Sequence, residues 1–367
     1  MRSRAFSFTV LATSLVIATF IVFVYSHVAD TLKLDEQETL RSLVSQVGEE
    51  INSTAKYLAA EAEMAAQVPP FQKAVQANSK EQFVGLLGEG YGILKKKYGF
   101  AVGQINGVDN TVLYRFHQPE EHGDNFTASR KIIVAAHATK QPQNGIEIGS
   151  SGVRVRGASP VLSEGALAGS IEFGMELRPL LEALKARSNA DFAVLIDRRL
   201  IHVKPGTAES NVFGSLKGDS GTNWPLVAKL NDLGKIALVK EPNYSSATLE
   251  GVSYGTVTVP LLDYSGSEIG VVVAAKSFNA EGRSLKRLAI GLISGGIIAE
   301  ICIVAVIVLV FRGMVLRPVA AIAKTVDGLA GGTAAELPKP GTVEEVNILI
   351  GAVKRLRDKL AAAGGQA

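Results

Sequence analysis

The sequence predicts an α+β fold in which a long N-terminal helix precedes two tandem modules of helices and strands, with two transmembrane helices and a C-terminal pair of helices. Three observations lead to this prediction. Long apolar runs lie at residues 5–28 and 288–311. Between them, residues 29–287 change from a helical periodicity to short β-rich runs whose order repeats. After the second run, apolar residues again recur at every third or fourth position.

The two apolar runs predict two membrane-spanning helices. Residues 5–28 contain no acidic or basic side chain apart from the largely neutral His27, and residues 288–311 contain only Glu300. About 20 apolar residues are enough to cross the hydrocarbon layer of ~30 Å. A cleaved signal peptide is the alternative for the first run, but the apolar core exceeds the roughly 7 to 15 residues usual for one. We therefore expect two crossings.

The flanking charges predict the orientation of the chain. Arg2 and Arg4 lie in residues 1–4, and Arg312 follows the second run. Because Lys and Arg favour the cytoplasmic side, residues 1–4 and the C-terminal segment are expected in the cytoplasm. The prediction is a multi-pass protein of the bacterial inner membrane, in contact with membrane lipid, with residues 29–287 in the periplasm.

Composition narrows the class of function. From Arg312 onward there are eight Lys or Arg residues against five acids, an excess equal to the net charge of +3, so the outer segment is close to neutral. This balance does not favour a nucleic-acid partner. The single cysteine, Cys302, lies in the second run, so the outer segment has no disulfide. No phosphate-binding loop, nucleophile elbow or H-E-x-x-H motif occurs in a suitable context, so we expect no enzyme activity and no cofactor.

Residues 29–68 predict one long helix. Asp30 to Gln67 contain no proline and a single glycine, and the pair Pro69-Pro70 disfavours continuation of the helix. Its apolar stripe consists of Leu40, Leu43, Val44, Val47, Ile51, Leu58, Ala59 and Ala62. The spacing of three and four residues is that of an amphipathic helix.

Residues 69–188 predict a first, membrane-distal module. The runs FAVGQI and TVLYRFH flank the turn Asp109-Asn110 and predict a hairpin. A helix at 129–139 and strands at 145–149, 153–161 and 168–176 follow.

Residues 189–280 predict a second, membrane-proximal module, joined to the first by a helix at 177–187. Its predicted elements are strands at 192–196 and 200–203, a helix at 224–233, and strands at 257–262 and 269–275. Two small α+β modules fit this repeated order better than one large sheet.

Three stretches of the first module are similar to the double Cache family of bacterial extracytoplasmic sensors. They are LYRFHQPEEHGDNFTASRK at 113–131, GIEIGSSGVRVRGASPV at 145–161 and GSIEFG at 169–174. The likeness extends over residues 30–278 and is to a subgroup found in chemoreceptors and cyclases. It implies two PAS-like modules after a long helix, with the ligand in the membrane-distal module.

Residues 312–360 resemble a HAMP domain, which has two amphipathic helices joined by an extended connector. Pro318 matches the proline that opens the first helix, and Glu344 and Glu345 match the acidic start of the second. Asn347 stands where a glycine is usual, which puts the geometry of the connector in doubt.

The same segment predicts a homodimer from its periodicity alone. The two helices carry an apolar stripe of Val319, Ile322, Val326, Leu329, Val346, Leu349, Val353, Leu356 and Leu360. Such short helices cannot bury their stripes alone, so a parallel four-helix bundle formed by two chains is expected. Residues 361–367 form a short tail.

Strand alternation predicts a ligand site in the distal module. Arg115 and His117 share one face of TVLYRFH, and Arg154 and Arg156 share one face of VRVRG. If both strands line the concave side of the module, Arg115, His117 and Arg156 converge, joined by Arg130 from the adjacent helix. Guanidinium groups bind carboxylates bidentately, so a small organic acid or another anion is the expected ligand.

An alternative interpretation of these arginines stays open. Glu147 lies on the predicted strand 145–149 and Glu172 on the predicted strand 168–176. Both can neutralise the arginines internally, which leaves a neutral or mainly apolar pocket. The six residues of the predicted site are therefore Arg115, His117, Arg130, Glu147, Arg156 and Glu172.

A metal site is not predicted, although candidate ligands cluster in one loop. His117, Glu120, Glu121, His122 and Asp124 fall within eight residues. Their spacing matches no compact zinc motif, and a Pro-Glu-Glu turn is more often a solvated loop.

Glu300 is expected to act in helix association or signalling. An ionised carboxylate near the centre of a span costs several kcal/mol, so we expect Glu300 to be protonated or hydrogen-bonded across a dimer interface. The alternative is a tolerated polar residue that faces the helix bundle.

Together these features predict a transmembrane receptor that binds a small extracytoplasmic ligand and relays the signal to a cytoplasmic signalling protein. The sequence ends shortly after the HAMP-like segment, so we expect either a truncated receptor or a sensor that signals through another protein. A membrane-tethered binding or scaffold protein is a second possibility, and a periplasmic metal-dependent enzyme is a remote third.

Overall fold

The computed structural model describes residues 2–149, 152–201, 210–331 and 336–364. The chain divides into two compact units. One comprises Met1–Asp30 with Ser284–Ala367, and the other comprises Thr31–Arg283. The two units are described separately below.

The unit Thr31–Arg283 begins with the outer part of a long helix, α1 (Arg2–Ala66). Pro69 and Pro70 end this helix and form the first turn of α2, where a missing N–H costs nothing. The next helices are α2 (Pro69–Gln76), α3 (Lys80–Phe83), a π-helical turn (Val84–Gly88) and α4 (Glu89–Tyr98).

The first sheet is antiparallel throughout, in the order β2-β1-β5-β4-β3. Its strands are β1 (Phe100–Gly107), β2 (Val112–Arg115), β3 (Gln143–Gly149), β4 (Gly152–Ser163) and β5 (Ala166–Glu176). The helix α5 (Lys131–Thr139) follows β2 in the chain. Apolar residues of one sheet face, such as Ile105 and Phe173, join the core formed by α1.

Helix α1 and strand β4 approach each other at Gly157. A Cβ atom at this position would collide with the backbone nitrogen of Ala59 and would lie 2.6 Å from the Cα of Ala59. Only a residue without a side chain allows this backbone-to-backbone contact.

The second sheet has six strands in the order β7-β8-β6-β11-β10-β9. They are β6 (Asp191–Asp197), β7 (Val212–Phe213), β8 (Leu216–Gly221), β9 (Asn243–Leu249), β10 (Val252–Leu262) and β11 (Glu268–Ser277). Helix α6 (Leu177–Ser188) connects the sheets, and α7 (Trp224–Asp232) packs on the second sheet through Leu226, Val227 and Leu230.

The fold confirms the predicted α+β class, with a long N-terminal helix and two sheet domains. The strand predicted at 200–203 is wrong at Leu200, which ends a 3-10 turn, Arg198–Leu200. Asp197 stabilises this turn because its Oδ1 accepts the backbone N–H of Arg199 at 2.9 Å. Residues 202 and 203 lie outside the described residues.

The second unit contains the inner part of α1, most of α8 (Asn279–Phe311), a π-helical turn (Arg312–Leu316), α9 (Arg317–Ala330) and α10 (Glu344–Gly364). Helix α1 and the helical stretch Asn279–Ala330 are long and apolar enough to cross a membrane. Gly296 of α8 lies against α1, since a Cβ there would come within 2.7 Å of Ile21.

Candidate functional site

The predicted ligand residues lie on the face of the first sheet that α5 covers. Strand register places Arg115, Gln104, Glu172 and Ala158 in one row across β2, β1, β5 and β4. Ala158 packs against Ile132 and Ala136 of α5. The row therefore runs from the edge of the sheet to the region beneath the helix.

Four of the six predicted residues form one buried ion-pair cluster. Arg130 donates from Nε to Oε2 of Glu147 at 2.8 Å and from Nη2 to Oε1 of Glu172. Arg156 donates from Nη1 to the same Oε1 of Glu172 at 2.8 Å. All four side chains are buried. Glu147 also accepts the backbone N–H of Ile132 at 2.8 Å, which ties the cluster to the first turn of α5.

The electrostatics keep Glu172, Arg130 and Arg156 ionised at neutral pH. Burial alone would raise the pKa of Glu172, but the charges of Arg130 and Arg156 outweigh burial and hold that pKa below its ordinary value. Burial and the neighbouring charge of Arg130 lower the pKa of Arg156 to about 10. Burial opposes the charge of Arg130 as well, but Glu172 and Glu147 raise its pKa.

Two atoms of the cluster have no hydrogen-bond partner among the residues that the structure describes. They are Nε of Arg156 and Oε2 of Glu172, and both are buried. A buried polar atom without a partner costs free energy, so each atom favours a group that supplies the missing bond. Two surface grooves, of 730 and 270 Å³, lie elsewhere, and none of the six predicted residues lines them.

Arg115 lies beside the cluster but has its own partners. Its Nε donates to Oε1 of Gln104 at 3.2 Å, and its Nη2 donates to Oδ2 of Asp124 at 2.5 Å. The side chain of Arg115 is 8% exposed, whereas that of Asp124 is 58% exposed. The guanidinium groups of Arg115 and Arg130 both lie over the ring of Phe126, at 5.6 and 5.3 Å from its centroid.

His117 is near the cluster without an ion pair in it. Its Nδ1 lies 3.2 Å from the carbonyl oxygen of Gly103 and 3.3 Å from the backbone nitrogen of the same residue. Burial lowers the pKa of His117, so the ring is neutral at physiological pH. A neutral imidazole therefore lies at the margin of the charged face.

The weak metal candidates are dispersed. Asp124 binds Arg115, and Nε2 of His122 lies 2.9 Å from Nζ of Lys80. Within the ranges that the structure describes, no group of three His, Cys, Asp or Glu side chains is arranged to hold a metal ion.

Sequence reasoning missed a polar chain on the same face. Gln104 donates to Oδ1 of Asn106 at 2.7 Å, and Asn106 donates to Oγ of Ser170 at 3.2 Å. These three side chains are buried. The signal was present, because Gln104 and Asn106 alternate within the otherwise apolar strand FAVGQING.

Glu300 joins two apolar helices of one chain. Its Oε1 accepts the hydroxyl of Thr13 at 3.1 Å and that of Ser14 at 2.9 Å, both from α1. These bonds lie within one chain, and the expectation that Glu300 is protonated or hydrogen-bonded across a dimer interface stays a prediction. Oε2 of Glu300 has no partner among the described residues.

The other predicted signalling residues lie at helix starts. Pro318 lies in the first turn of α9, and Glu344 and Glu345 form the first turn of α10, where acidic groups stabilise a helix. Asn347 holds the connector with two bonds. Its Nδ2 donates to the carbonyl oxygen of Gly341 at 2.7 Å, and its Oδ1 accepts the N–H of Gly341 at 2.8 Å.

Comparisons with known proteins address the family. The model of the dCache_3 family, described as the double sensory domain of two-component sensor kinases, matches residues 33–281. No curated protein matches the chain.

Solved structures similar to this chain include two sensor domains. One is the sensory domain of the Campylobacter jejuni chemoreceptor Tlp3 with isoleucine bound, at 12% identity and a TM-score of 0.42, with 70% of this chain and 96% of that chain covered. The other is the sensor domain of the V. cholerae histidine kinase DctB, at 11% identity and a TM-score of 0.39, with 68% and 98% covered.

The match to the family model covers residues 33–281, which are more than half of the 367-residue chain. The resemblance to double Cache sensors is thereby confirmed, and the chain belongs to the dCache family of double sensory domains.

Proposed function

We propose that this protein is a membrane-spanning receptor that binds a small organic acid or another anion in its first module. The signal passes through the HAMP-like C-terminal helices to a cytoplasmic signalling protein. Membership of a sensory family and two helices apolar enough to span a membrane support this proposal.

An excess of buried positive charge on this sheet face is the observation from which we infer an anionic ligand. Three buried guanidinium groups, Arg115, Arg130 and Arg156, lie near two buried carboxylates, Glu147 and Glu172. The third carboxylate is Asp124, which lies on an exposed loop. A ligand carboxylate is able to replace Asp124 at Arg115, because a solvated loop residue leaves a buried arginine at little cost.

The Nε of Arg156, which has no partner within the described ranges, supports the same ligand class. An ionised oxygen is the acceptor that a guanidinium N–H bonds most strongly. The internal pairs of Glu147 and Glu172 are what the alternative, a neutral pocket, requires. Arg115 separates the two hypotheses, since its only carboxylate partner within the described part of the chain is the exposed Asp124.

A thermal-shift screen of the full chain in detergent tests this proposal. The panel contains mono- and dicarboxylates, their neutral amides, and divalent metals. A ligand at 100 times its Kd stabilises the folded state by about 2.7 kcal/mol, so we expect carboxylates and not amides to raise the Tm. Equal shifts with amides would favour the neutral pocket, and shifts with metals alone would contradict the proposal.

Three variants sharpen the screen. Arg115→Gln should abolish the carboxylate shift. Asp124→Asn should enlarge it at a fixed subsaturating concentration, because it removes the internal competitor. Arg154→Gln is the matched control, since Arg154 pairs with the half-exposed Glu176 at 3.1 Å on the same sheet. A shift that survives Arg115→Gln would contradict the assignment of this arginine.

We also propose that the C-terminal helices form a homodimeric bundle. Within one chain Ile322, Val346, Ile350 and Val353 pack together. Part of the predicted stripe remains uncovered, namely Val326 at 39%, Leu349 at 46% and Leu356 at 49% exposure. A second copy would cover this stripe, as in coiled-coil bundles.

Disulfide cross-linking in membranes tests the homodimer. In a Cys302→Ser background, Val326→Cys should give a covalent dimer under mild oxidation, because two copies of this position face each other across the bundle. Lys324→Cys is the control, since Lys324 is exposed about 160° away around the same helix. Equal cross-linking at both positions would contradict the bundle.

A further inference from the structure

The turn between β10 and β11 of the second module lies against α5 and β3 of the first. Nζ of Lys131 lies 2.6 Å from Oγ of Ser265. The backbone N–H of Tyr264 donates to the carbonyl oxygen of Ile146 at 2.8 Å, and the Tyr264 hydroxyl donates to Oε1 of Gln143 at 2.5 Å. Side-chain and backbone bonds therefore join the two modules at this turn, and the N–H of Val153 also donates to Oδ1 of Asp219 at 2.9 Å elsewhere between them.

We infer that this turn, residues 263–267, is the coupling element that transmits the state of the buried ion-pair cluster to the strand that leads into the second apolar helix. The inference rests on the proposed function and adds its route of regulation. The turn of residues 263–267 is called the coupling turn below.

The bonds of the cluster and of the coupling turn alternate along the chain. Arg130 binds the cluster and the N–H of Ile132 binds Glu147, whereas Lys131 between them binds the coupling turn. On β3, the carbonyl of Ile146 holds the turn, whereas the carboxylate of Glu147 holds Arg130. A displacement of Arg130 or Glu147 therefore displaces a group bonded to the turn, because adjacent residues of a helix or strand move together.

The two modules are also closely packed at the coupling turn. The ring of Tyr264 packs on Ile132, Ala136 and Ala158. It also lies over Gly145, where a Cβ would come within 3.2 Å of the ring. Close-packed contacts of this kind transmit small shifts instead of absorbing them.

The coupling turn itself is held by Asp263. Its Oδ1 accepts the N–H of Ser265 at 2.8 Å and the N–H of Ser267 at 3.0 Å. Strand β11 begins at the next residue, lies between β6 and β10, and ends two residues before α8 begins at Asn279. A shift of the turn is thus applied to a central strand that continues into α8.

Hydrogen exchange of the full chain in nanodiscs, read by mass spectrometry, tests the coupling without any ligand. Glu147→Gln perturbs the cluster. We expect it to raise exchange about fivefold or more in the peptide that covers the coupling turn. The turn at Glu250-Gly251, between β9 and β10, is the internal control and should not change.

Two further variants determine whether the effect travels through the named contacts. In a Lys131→Met, Tyr264→Ala background, Glu147→Gln should still raise exchange in α5, but the added rise at the coupling turn should be much smaller, because of the bonds named above only the backbone bond between Tyr264 and Ile146 remains. Lys229→Met is the matched control, because Lys229 makes a 2.6 Å surface ion pair with Glu250 inside the second module. In that background the effect of Glu147→Gln at the coupling turn should persist.

Three outcomes would overturn the coupling. They are unchanged exchange at the coupling turn despite a change in α5, an equal rise at Glu250-Gly251, and an undiminished effect in the Lys131→Met, Tyr264→Ala background. Failure of the proposed anion site is distinguishable, since it appears in the carboxylate screen and not in exchange measured without ligand.

Discussion

Replacing Glu172 by glutamine should lower the free energy of unfolding by about 3 to 5 kcal/mol. The change removes the carboxylate that Arg130 and Arg156 share, and Glu172 is 0% exposed. Two buried guanidinium groups are then left with one carboxylate, Glu147. For a chain of this size we expect the Tm of the sensory unit to fall by roughly 10 °C, as followed by circular dichroism of the full chain in detergent.

Glu176→Gln is the matched control for this prediction. Glu176 lies on the same strand, four residues further on, and pairs with Arg154 at 3.1 Å, but its side chain is 48% exposed. Exposed pairs contribute about 0 to 1 kcal/mol, so the Tm should hardly change. Similar losses in both variants would show that burial of the cluster does not determine its contribution.

The pH dependence of stability should change in the same variant. The folded pKa of Glu172 lies below its ordinary value of 4.5. The stabilisation from its charge is therefore complete above that value and is lost as the pH falls through the lower folded pKa. Glu172→Gln should consequently lose less Tm on acidification than the wild type.

Gly157→Ala should destabilise the sensory unit by about 3 kcal/mol or more, since overpacking at a rigid contact is costly. The new methyl group would meet the backbone of Leu58 and Ala59 in α1, which a side-chain rotation cannot relieve. The helix and β4 must separate, and the apolar core between them loses contacts. Thermal denaturation of the full chain measures the loss.

Gly48→Ala, in helix α1, should change the stability in the opposite direction. Nothing lies within 4 Å of a Cβ at Gly48. Alanine is favoured over glycine in helices by about 1 kcal/mol, so this variant should be slightly more stable than the wild type. A Gly157→Ala protein as stable as Gly48→Ala would contradict the close approach of α1 and β4.

The sequence predicted the residues of the charged face better than their partners. Alternation in TVLYRFH and VRVRG predicted that Arg115 and Arg156 converge if both strands line the concave side of the module, and the structure has them on one face of the sheet. The pairing of Arg130 with both Glu147 and Glu172 depends on how α5 crosses the sheet, which no local pattern encodes.

The role of Asp124 could not be predicted from its loop. The sequence suggested a weak metal candidate, whereas the structure pairs Asp124 with Arg115. The loop lies along β2, because Val112 donates its N–H to the carbonyl oxygen of Asp124 at 2.8 Å, and Gly123 donates to the carbonyl of Val112 at 2.9 Å. Pairing between an irregular segment and a short edge strand leaves no periodic signal.

Short polar strands were also missed for a physical reason. Strand β9, NYSSATL, contains no alternation of large apolar residues, and it forms because the longer strand β10 offers a free edge. Tertiary pairing overrides weak local preference in such edge strands.

The order of strands in each sheet affects how the chain folds during synthesis. Strand β1 pairs with β5 and strand β6 pairs with β11, so in each sheet the first strand along the chain pairs with the last one. Long-range pairings of this kind form late, because distant parts of the chain must first meet. A nascent chain that has not yet released β11 exposes unpaired edges of β6 and β10, which invite aggregation. Since α8 begins two residues after β11, maturation of the second module coincides with synthesis of its following apolar helix.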